Sequence, residues 1–317
     1  MKALLVILNK DNAKKLEECL KSVISQSAKL CRDFDVLILD GASRDNSKEV
    51  AEEFSRNYPC IKFKVQEKLG GTGFARKEAC EFAVKNGYDV IIWGDSENVY
   101  SFDYIEKIMQ EIRGFDAVGG VPIVKGNFYS HAFAWYHAIH IVFNIQKIHI
   151  PGNNRADKTE IYRFLSYPES KRAEDYGFSL LLLKNGIRLR QKIVDARVFV
   201  SLPEKLRDIV AWQRARVKGC AEALRLVNFA PFDLIVWSSL VLLFFLFLAL
   251  CQINFLPFLV YSMLIFSFSV FLFIRSYRFI EKPRPWLFFA PLFGVFVHSV
   301  FSLLGLFYYF KLGKNRK

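Results

Sequence analysis
The chain has 317 residues, a net charge of +13 and 52% hydrophobic residues, 32 of them phenylalanine. That is too apolar for one ordinary soluble domain of such charge, and the excess is uneven. Residues 1 to 225 mix charged and apolar side chains, whereas from Phe232 onward Leu, Phe, Val and Ile run almost without interruption, which implies a soluble domain followed by a membrane domain.

In the first part, apolar β-rich runs alternate with helical patterns. Leu4 to Leu8 precedes a helix over 13–26, Val36 to Leu39 one over 46–56, Ile61 to Val65 one over 74–86, and Val90 to Trp93 one over 102–112. This alternation predicts an α/β domain with a mainly parallel sheet and helices on both faces. Ligands bind such sheets beyond the carboxyl ends of the strands, so the loops after those four strands are the ones to inspect.

The first loop, Asn9-Lys10-Asp11-Asn12, has no glycine, which excludes a G-x-G-x-x-G dinucleotide fingerprint there. The second, beginning Asp40-Gly-Ala-Ser43-Arg-Asp45, offers Ser43 or Asp45 as a helix N-cap. Asp40 itself ends a strand, where its carboxylate can accept hydrogen bonds from a base imide or a ribose hydroxyl. The glycines at 70, 71 and 73 read as a flexible turn that lets Lys68 and Arg76 approach a nucleotide. After Trp93, Asp95 and Glu97 are one residue apart at the same sheet edge. Such a pair either shares a hard divalent cation, Mg²⁺ or Mn²⁺, or forms a solvated acidic turn, and spacing alone does not choose.

Residues 127–150 are rich in aromatics and hold four of the five histidines. His137 and His140 as metal ligands is one reading; an interfacial helix with amphipathic aromatics, forming a lip for a lipid acceptor, is the favoured one. Glu174 and Asp175 suit the N-terminus of a helix, where carboxylates oppose the dipole. Gln213 and Arg216, three apart on a basic helix, share a face.

Leu234 to Cys251, Phe255 to Ile274 and Trp286 to Phe310 are each long enough to cross a hydrocarbon core. Arg275, Arg278, Lys282 and Arg284 lie between the last two, and the 205–225 approach is equally basic, so the positive-inside rule places both, with the soluble domain, in the cytoplasm. Three spans then leave Lys311, Lys314, Arg316 and Lys317 outside, against the rule. His298, in the last span, reads as a packing residue. The expected organisation is a cytoplasmic domain over 1–204, interfacial amphipathic helices over 205–231 and a membrane domain over 232–317. The six cysteines form no C-x-x-C pair, and MKALLVIL is too short for a signal peptide, so free, buried thiols in a reducing compartment are expected.

In order along the chain, these segments resemble the family 2 glycosyltransferases of the GT-A fold. Asp40-Gly-Ala-Ser43-Arg-Asp45 is similar to their D-D-G-S-x-D nucleotide loop, with Gly41 for the second acid. Gly73-Phe-Ala-Arg76 resembles the segment carrying a basic residue near the donor, and Asp95-Ser-Glu97 stands where the D-x-D metal motif belongs. Glu174-Asp175 resembles the E-D motif of the catalytic base, and Trp212-Gln213-Arg-Ala-Arg216-Val217 resembles Q-x-x-R-W, with Val217 for the Trp.

The resemblance implies a GT-A type Rossmann-like sheet, a nucleotide-sugar donor, a bound divalent cation and a membrane setting; nucleic acid is not an expected partner. It implies Asn9, Asp40, Arg76, Asp95, Gln213 and Arg216 as donor contacts, Asp95 and Glu97 as metal ligands, and Asp175 as general base. Single displacement then inverts the anomeric centre. A hydroxyl acceptor requires a base whereas a polyprenyl phosphate does not, so a catalytic Asp175 favours a hydroxyl on a lipid or lipid-linked saccharide. A polyprenyl- or dolichyl-phosphate sugar transferase is the alternative, and a non-catalytic membrane scaffold the second. A sugar-phosphate nucleotidyltransferase is disfavoured, because the first strand lacks a glycine-rich triphosphate loop.

Overall fold
The structure is a computed structural model, and it describes residues 1–314; Arg316 and Lys317 of the basic tail lie outside the described residues. The chain forms two compact units, one of residues Met1–Ile123 and Ile145–Val200, the other of Val124–Asn144 and Ser201 onward. It therefore crosses between units three times, where the sequence suggested three consecutive segments, 1–204, 205–231 and 232–317.

The first unit is built on eight strands: β1 (Ala3–Asn9), β2 (Phe34–Asp40), β3 (Ile61–Val65), β4 (Val90–Asp95), β5 (Val99–Tyr100), β6 (Ala117–Lys125), β7 (Arg155–Lys158) and β8 (Gln191–Ser201). Their order across the sheet is β3-β2-β1-β4-β7-β6-β8-β5. The pairs β3/β2, β2/β1 and β1/β4 are parallel, and β7 then joins antiparallel to β4. Every residue of ALLVILN in β1 and FDVLILD in β2 is buried, as expected of central parallel strands covered on both faces. At the edge, β3 reads IKFKV, and its lysines suit a strand with an unpaired side.

Four helices follow these strands, α1 (Ala13–Ile24), α2 (Ser47–Asn57), α3 (Thr72–Lys85) and α4 (Tyr104–Glu111). In α1 the buried Leu16, Cys19, Leu20 and Val23 recur at helical spacing, so one stripe faces the sheet. In α3 the stripe is Ala75, Ala79 and Ala83, small side chains that let the helix lie close on the strands. All four sequence-expected strand–helix pairs are present.

Cys31 and Cys60 form a disulfide, with Cα atoms 5.1 Å apart, which corrects the expectation of six free thiols. The parallel β2/β3 pairing brings the two residues together: Val36 in β2 donates its amide to the carbonyl of Cys60, just ahead of β3. Among the described residues the other four cysteines form no disulfide.

The second unit contains α5 (Phe128–His131), α6 (Trp135–Val142), α8 (Leu206–Leu226), α9 (Phe232–Leu250), α10 (Leu256–Ser276) and α11 (Ala290–Lys314); α7 (Glu174–Lys184) belongs to the first. Three stretches, Phe232–Leu250, Leu256–Phe279 and Pro285–Gly313, are long and apolar enough to cross a membrane. An apolar cavity of about 610 Å³ lies among them, lined by residues including Val241, Phe244, Tyr261, Phe266, Phe293 and Ser299.

The aromatic segment is not a single interfacial helix. Phe133, Trp135 and Tyr136 are buried in a core with Ile209, Leu272, Ala290 and Val295. The buried part ends near Ile139, and Phe143 and Ile148 further along the same segment are exposed.

Candidate active site
The sheet register places the sequence-expected residues side by side. Asn9 pairs with Asp40 across β1/β2, and Leu8 pairs with Asp95 across β1/β4, so all three strand ends meet at one carboxyl edge.

Asp40 is 3% exposed and its carboxylate is already engaged. It accepts from Asn9 Nδ2 at 2.7 Å, from the Ser43 hydroxyl at 2.6 Å and from the Ser43 amide at 2.7 Å. Asp45 is engaged as well, accepting the amides of Ala13 at 2.8 Å and Ser47 at 3.1 Å. One carboxylate thereby caps the first residues of both α1 and α2. Asp11 accepts the amide of Arg44 at 2.7 Å. These residues clamp the first two loops together, and Asp40 Oδ2, which accepts only the Ser43 amide, keeps capacity for one more donor.

Asp95 contrasts with them: among the described residues no hydrogen bond reaches its side chain. Burial pushes its pKa up to about 7; Arg76 opposes the shift, while Glu97, Glu174 and Asp175 add to it by repulsion. Glu97 is paired with Lys15 at 3.1 Å. Asp95 is thus a half-buried carboxylate without a described donor, whereas the carboxylates that repel it have partners: Glu97 in Lys15, Glu174 in Arg76 and Asp175 in two backbone amides. Among the described residues no group of three or more His, Cys, Asp or Glu is placed to hold a metal ion.

Arg76 is 2% exposed, and it is not an approach residue on a mobile turn. Its Nε donates to Glu174 Oε1 at 2.7 Å, and its guanidinium lies 4.7 Å from the Trp93 ring centre and 5.4 Å from that of Tyr167. Thr72 donates its hydroxyl to the other oxygen of Glu174. The glycines before it serve packing: Gly71 has φ +126°, and a Cβ there or at Gly73 would collide with the backbone of residues 168–171. Lys68 pairs with Glu169 at 2.7 Å. Beneath Trp93, the buried Asp157 accepts from Trp93 Nε1 at 3.1 Å, Tyr162 at 2.6 Å and Arg155 at 2.7 Å.

Glu174 and Asp175 open α7, and the two carboxylates have different partners. Glu174 is tied to Arg76. Asp175 accepts the Gly152 amide and the Tyr176 amide, both at 2.8 Å. Burial alone would raise its pKa; the charges of His149 and Arg76 and those two amides outweigh it, and the net direction is below the ordinary carboxylate value. Gly152 permits this approach, since a Cβ there would stand 2.6 Å from Arg76 Nη2 and 3.0 Å from the Asp175 Cβ. The sequence reading missed Gly152, Thr72 and His149. The Pro151-Gly-Asn-Asn turn just before β7 was the available signal.

Gln213 and Arg216 lie on α8 in the second unit and meet on one residue there. Gln213 Nε2 donates to the Tyr136 hydroxyl at 2.8 Å, and the Arg216 guanidinium stands 3.8 Å from the Tyr136 ring centre. Val217, in place of the motif's Trp, is buried against Gly305, whose added Cβ would come within 3.2 Å of it.

A family model described as glycosyl transferase family 2 matches residues 4–167. Over 121 residues the chain is 26% identical to glycosyltransferase GlyG of Streptococcus pneumoniae, a stretch covering 38% of this chain and 37% of that one. Over 172 residues it is 21% identical to the undecaprenyl-phosphate mannosyltransferase of Micrococcus luteus, covering 52% of this chain and 70% of the relative. The chain thus spans little more than a third of GlyG's length. Among solved structures, the mannosyltransferase PcManGT of Pyrobaculum calidifontis, in complex with GDP-Man and Mn²⁺, superposes with a TM-score of 0.60 at 12% identity, over 97% of this chain and 86% of that one. TarS 1–349 of S. aureus gives 0.52 at 16% identity, over 96% and 92%. At these identities the structures speak for the GT-A-like fold alone. The matched region runs from β1 to the residues that pack under Trp93, just over half of the chain, and the chain belongs to glycosyl transferase family 2.

Proposed function
We propose that the protein is an inverting glycosyltransferase that moves a sugar from a nucleotide-sugar to a hydroxyl of a lipid or lipid-linked saccharide at the cytoplasmic face of a membrane. The observation that carries this reading is Asp175: a carboxylate at a helix N-terminus, held by two amides, with its pKa below the ordinary value and therefore ionised at neutral pH. It receives the acceptor hydroxyl's proton as that oxygen bonds to the anomeric carbon and the bond from that carbon to the diphosphate breaks. Glu174 forms the direct ion pair with Arg76, whose charge also favours the ionised form of Asp175.

Asp95 and Glu97 would hold a divalent cation, whose chemistry is to neutralise charge developing on the leaving diphosphate. Asn9 and Asp40 shape the nucleotide loop, and the motif assigns Gln213 and Arg216 to the diphosphate. The lipid acceptor is supported by the three long apolar helices and by the cavity among them.

The second reading, transfer to a polyprenyl phosphate, is favoured by the likeness to the Micrococcus luteus enzyme and to the dolichyl-phosphate beta-glucosyltransferase ALG5C of Trichomonas vaginalis, 20% identical over 154 residues. Sealed inverted vesicles carrying the protein, given labelled nucleotide-sugars and native lipid extract, separate the readings. Release of nucleoside diphosphate that stops with a chelator and returns with Mn²⁺ or Mg²⁺ is expected, together with a labelled lipid stable to mild acid. An acid-labile sugar phosphate would establish the second reading, and full turnover in the chelator would remove the metal.

A further inference from the structure
His298 of α11 does more than pack. Its Nδ1 lies 2.9 Å from the Tyr136 hydroxyl, and that hydroxyl also receives the Gln213 amide at 2.8 Å. The Tyr136 hydroxyl therefore bridges the Gln213 amide and the His298 ring nitrogen. Gln213 is 0% exposed, and rings surround the imidazole: Trp237 at 5.0 Å between centres, Tyr136 at 5.3 Å and Trp135 at 5.6 Å. A hydroxyl held from both sides in such a cage holds its ring in one orientation.

That ring is the bed of Arg216. The guanidinium lies 3.8 Å from the Tyr136 ring centre and 5.8 Å from that of Trp212, and among the described residues it has no carboxylate partner. A cation without a counter-ion, carried on an aromatic face, is free to meet an anion but takes its direction from the ring.

We propose that Tyr136 and His298 are positioning residues for Arg216: the chain Gln213–Tyr136–His298 fixes the ring that carries the guanidinium, the group that the Q-x-x-R-like motif assigns to the donor diphosphate. This rests on the reading of the protein as a nucleotide-sugar transferase and extends it to the last apolar helix. Arg216 acts on charge that grows during the reaction, so misdirecting it lowers kcat while leaving the donor KM nearly unchanged.

The test is a set of kinetic double-mutant cycles on the full chain in lipid vesicles. Tyr136→Phe keeps the ring and removes the hydroxyl. His298→Leu removes the ring nitrogen, and His298→Asn restores a hydrogen-bonding group near the Nδ1 position. Tyr136→Phe and His298→Leu are each expected to lower kcat by roughly tenfold, the scale of one hydrogen bond. Their combination should cost no more than either alone, His298→Asn should recover most of the rate, and neither change should lower kcat further in an Arg216→Lys background. Thermal melting of each variant keeps a folding defect distinct from a kinetic one. Additive losses, or the same loss in the Arg216→Lys background, would mean a packing role and overturn the proposal, as would a normal kcat in Tyr136→Phe. A wild-type protein that consumes no nucleotide-sugar would overturn the underlying reading and this inference together.

Discussion

Two strand ends on either side of β1 carry aspartates that look alike in sequence and differ in what they have left to offer. At the end of β2 and just after it, Asp40 and Asp45 are well engaged: six hydrogen bonds tie them to Asn9, Ala13, Ser43 and Ser47. After β4, Asp95 accepts none from any described residue, and its pKa is up to about 7. A satisfied carboxylate has already exchanged water for protein donors and gains little from a ligand. An unsatisfied, half-buried one bears a desolvation cost that a bound cation would relieve. The number of donors around a carboxylate, more than its place at the sheet edge, separates the residues that build the loops from those that would do chemistry.

The largest expected effect is at Asp95. Asp95→Asn removes a carboxylate that would hold the metal, and loss of charge stabilisation worth several kcal/mol predicts a fall in turnover of about a thousandfold or more. Stability should move the other way. A carboxyl whose folded pKa is raised is destabilising once ionised, so without divalent cation the variant should melt above wild type at pH 7. The gap should close as the pH falls toward about 4, the ordinary aspartate value, where both forms are neutral. A variant that melts lower than wild type at pH 7 would show that Asp95 has protein donors after all, and the contrast between the loops would fail.

Asp175 tests the same idea where saturation is partial. It accepts two amides yet lies beside His149 and Arg76. Asp175→Asn keeps the shape and removes the proton acceptor, and the expected loss is about a hundredfold in turnover with donor binding nearly intact. If the residue only favours the start of α7, the change costs a fraction of a kcal/mol and little rate. Near-normal turnover would return the acceptor to a polyprenyl phosphate, which needs no base.

The strands were legible because each is a short apolar run long enough to cross the sheet once, and Asp95 and Glu97 were legible because they follow one. What the side chains do with one another was not. Asp40 meets Asn9 from 31 residues away, Gly152 meets Asp175 from 23, Cys31 meets Cys60 from 29, and Tyr136 meets His298 from 162. No local period encodes such pairs; they follow from register and helix packing. The same limit made the glycine turn look flexible, since the backbone of 168–171 that presses on Gly71 and Gly73 is about a hundred residues away. Likewise, His298 reads as packing until the segment carrying Tyr136 is placed beside it.

The smallest expected effect falls on the well-engaged side, at Asp45. Its carboxylate caps α1 through Ala13 and α2 through Ser47, so Asp45→Ala should cost about 1–2 kcal/mol of stability while leaving turnover at the working temperature close to wild type. The hydrogen bonds from Ser47 and Ala13 hold its pKa below the ordinary aspartate value. A carboxylate with a depressed folded pKa contributes stability that is present above its unfolded pKa, about 4, and is lost as the pH falls through the lower folded value. The difference in melting temperature between wild type and Asp45→Ala should therefore be full at pH 7 and shrink below pH 4, opposite in sign to the behaviour of Asp95→Asn. Melting curves of both variants across that range, in the same lipid and without divalent cation, decide the matter. If the two difference curves run in the same direction, the hydrogen-bond count does not distinguish a structural carboxylate from a ligand-binding one in this fold.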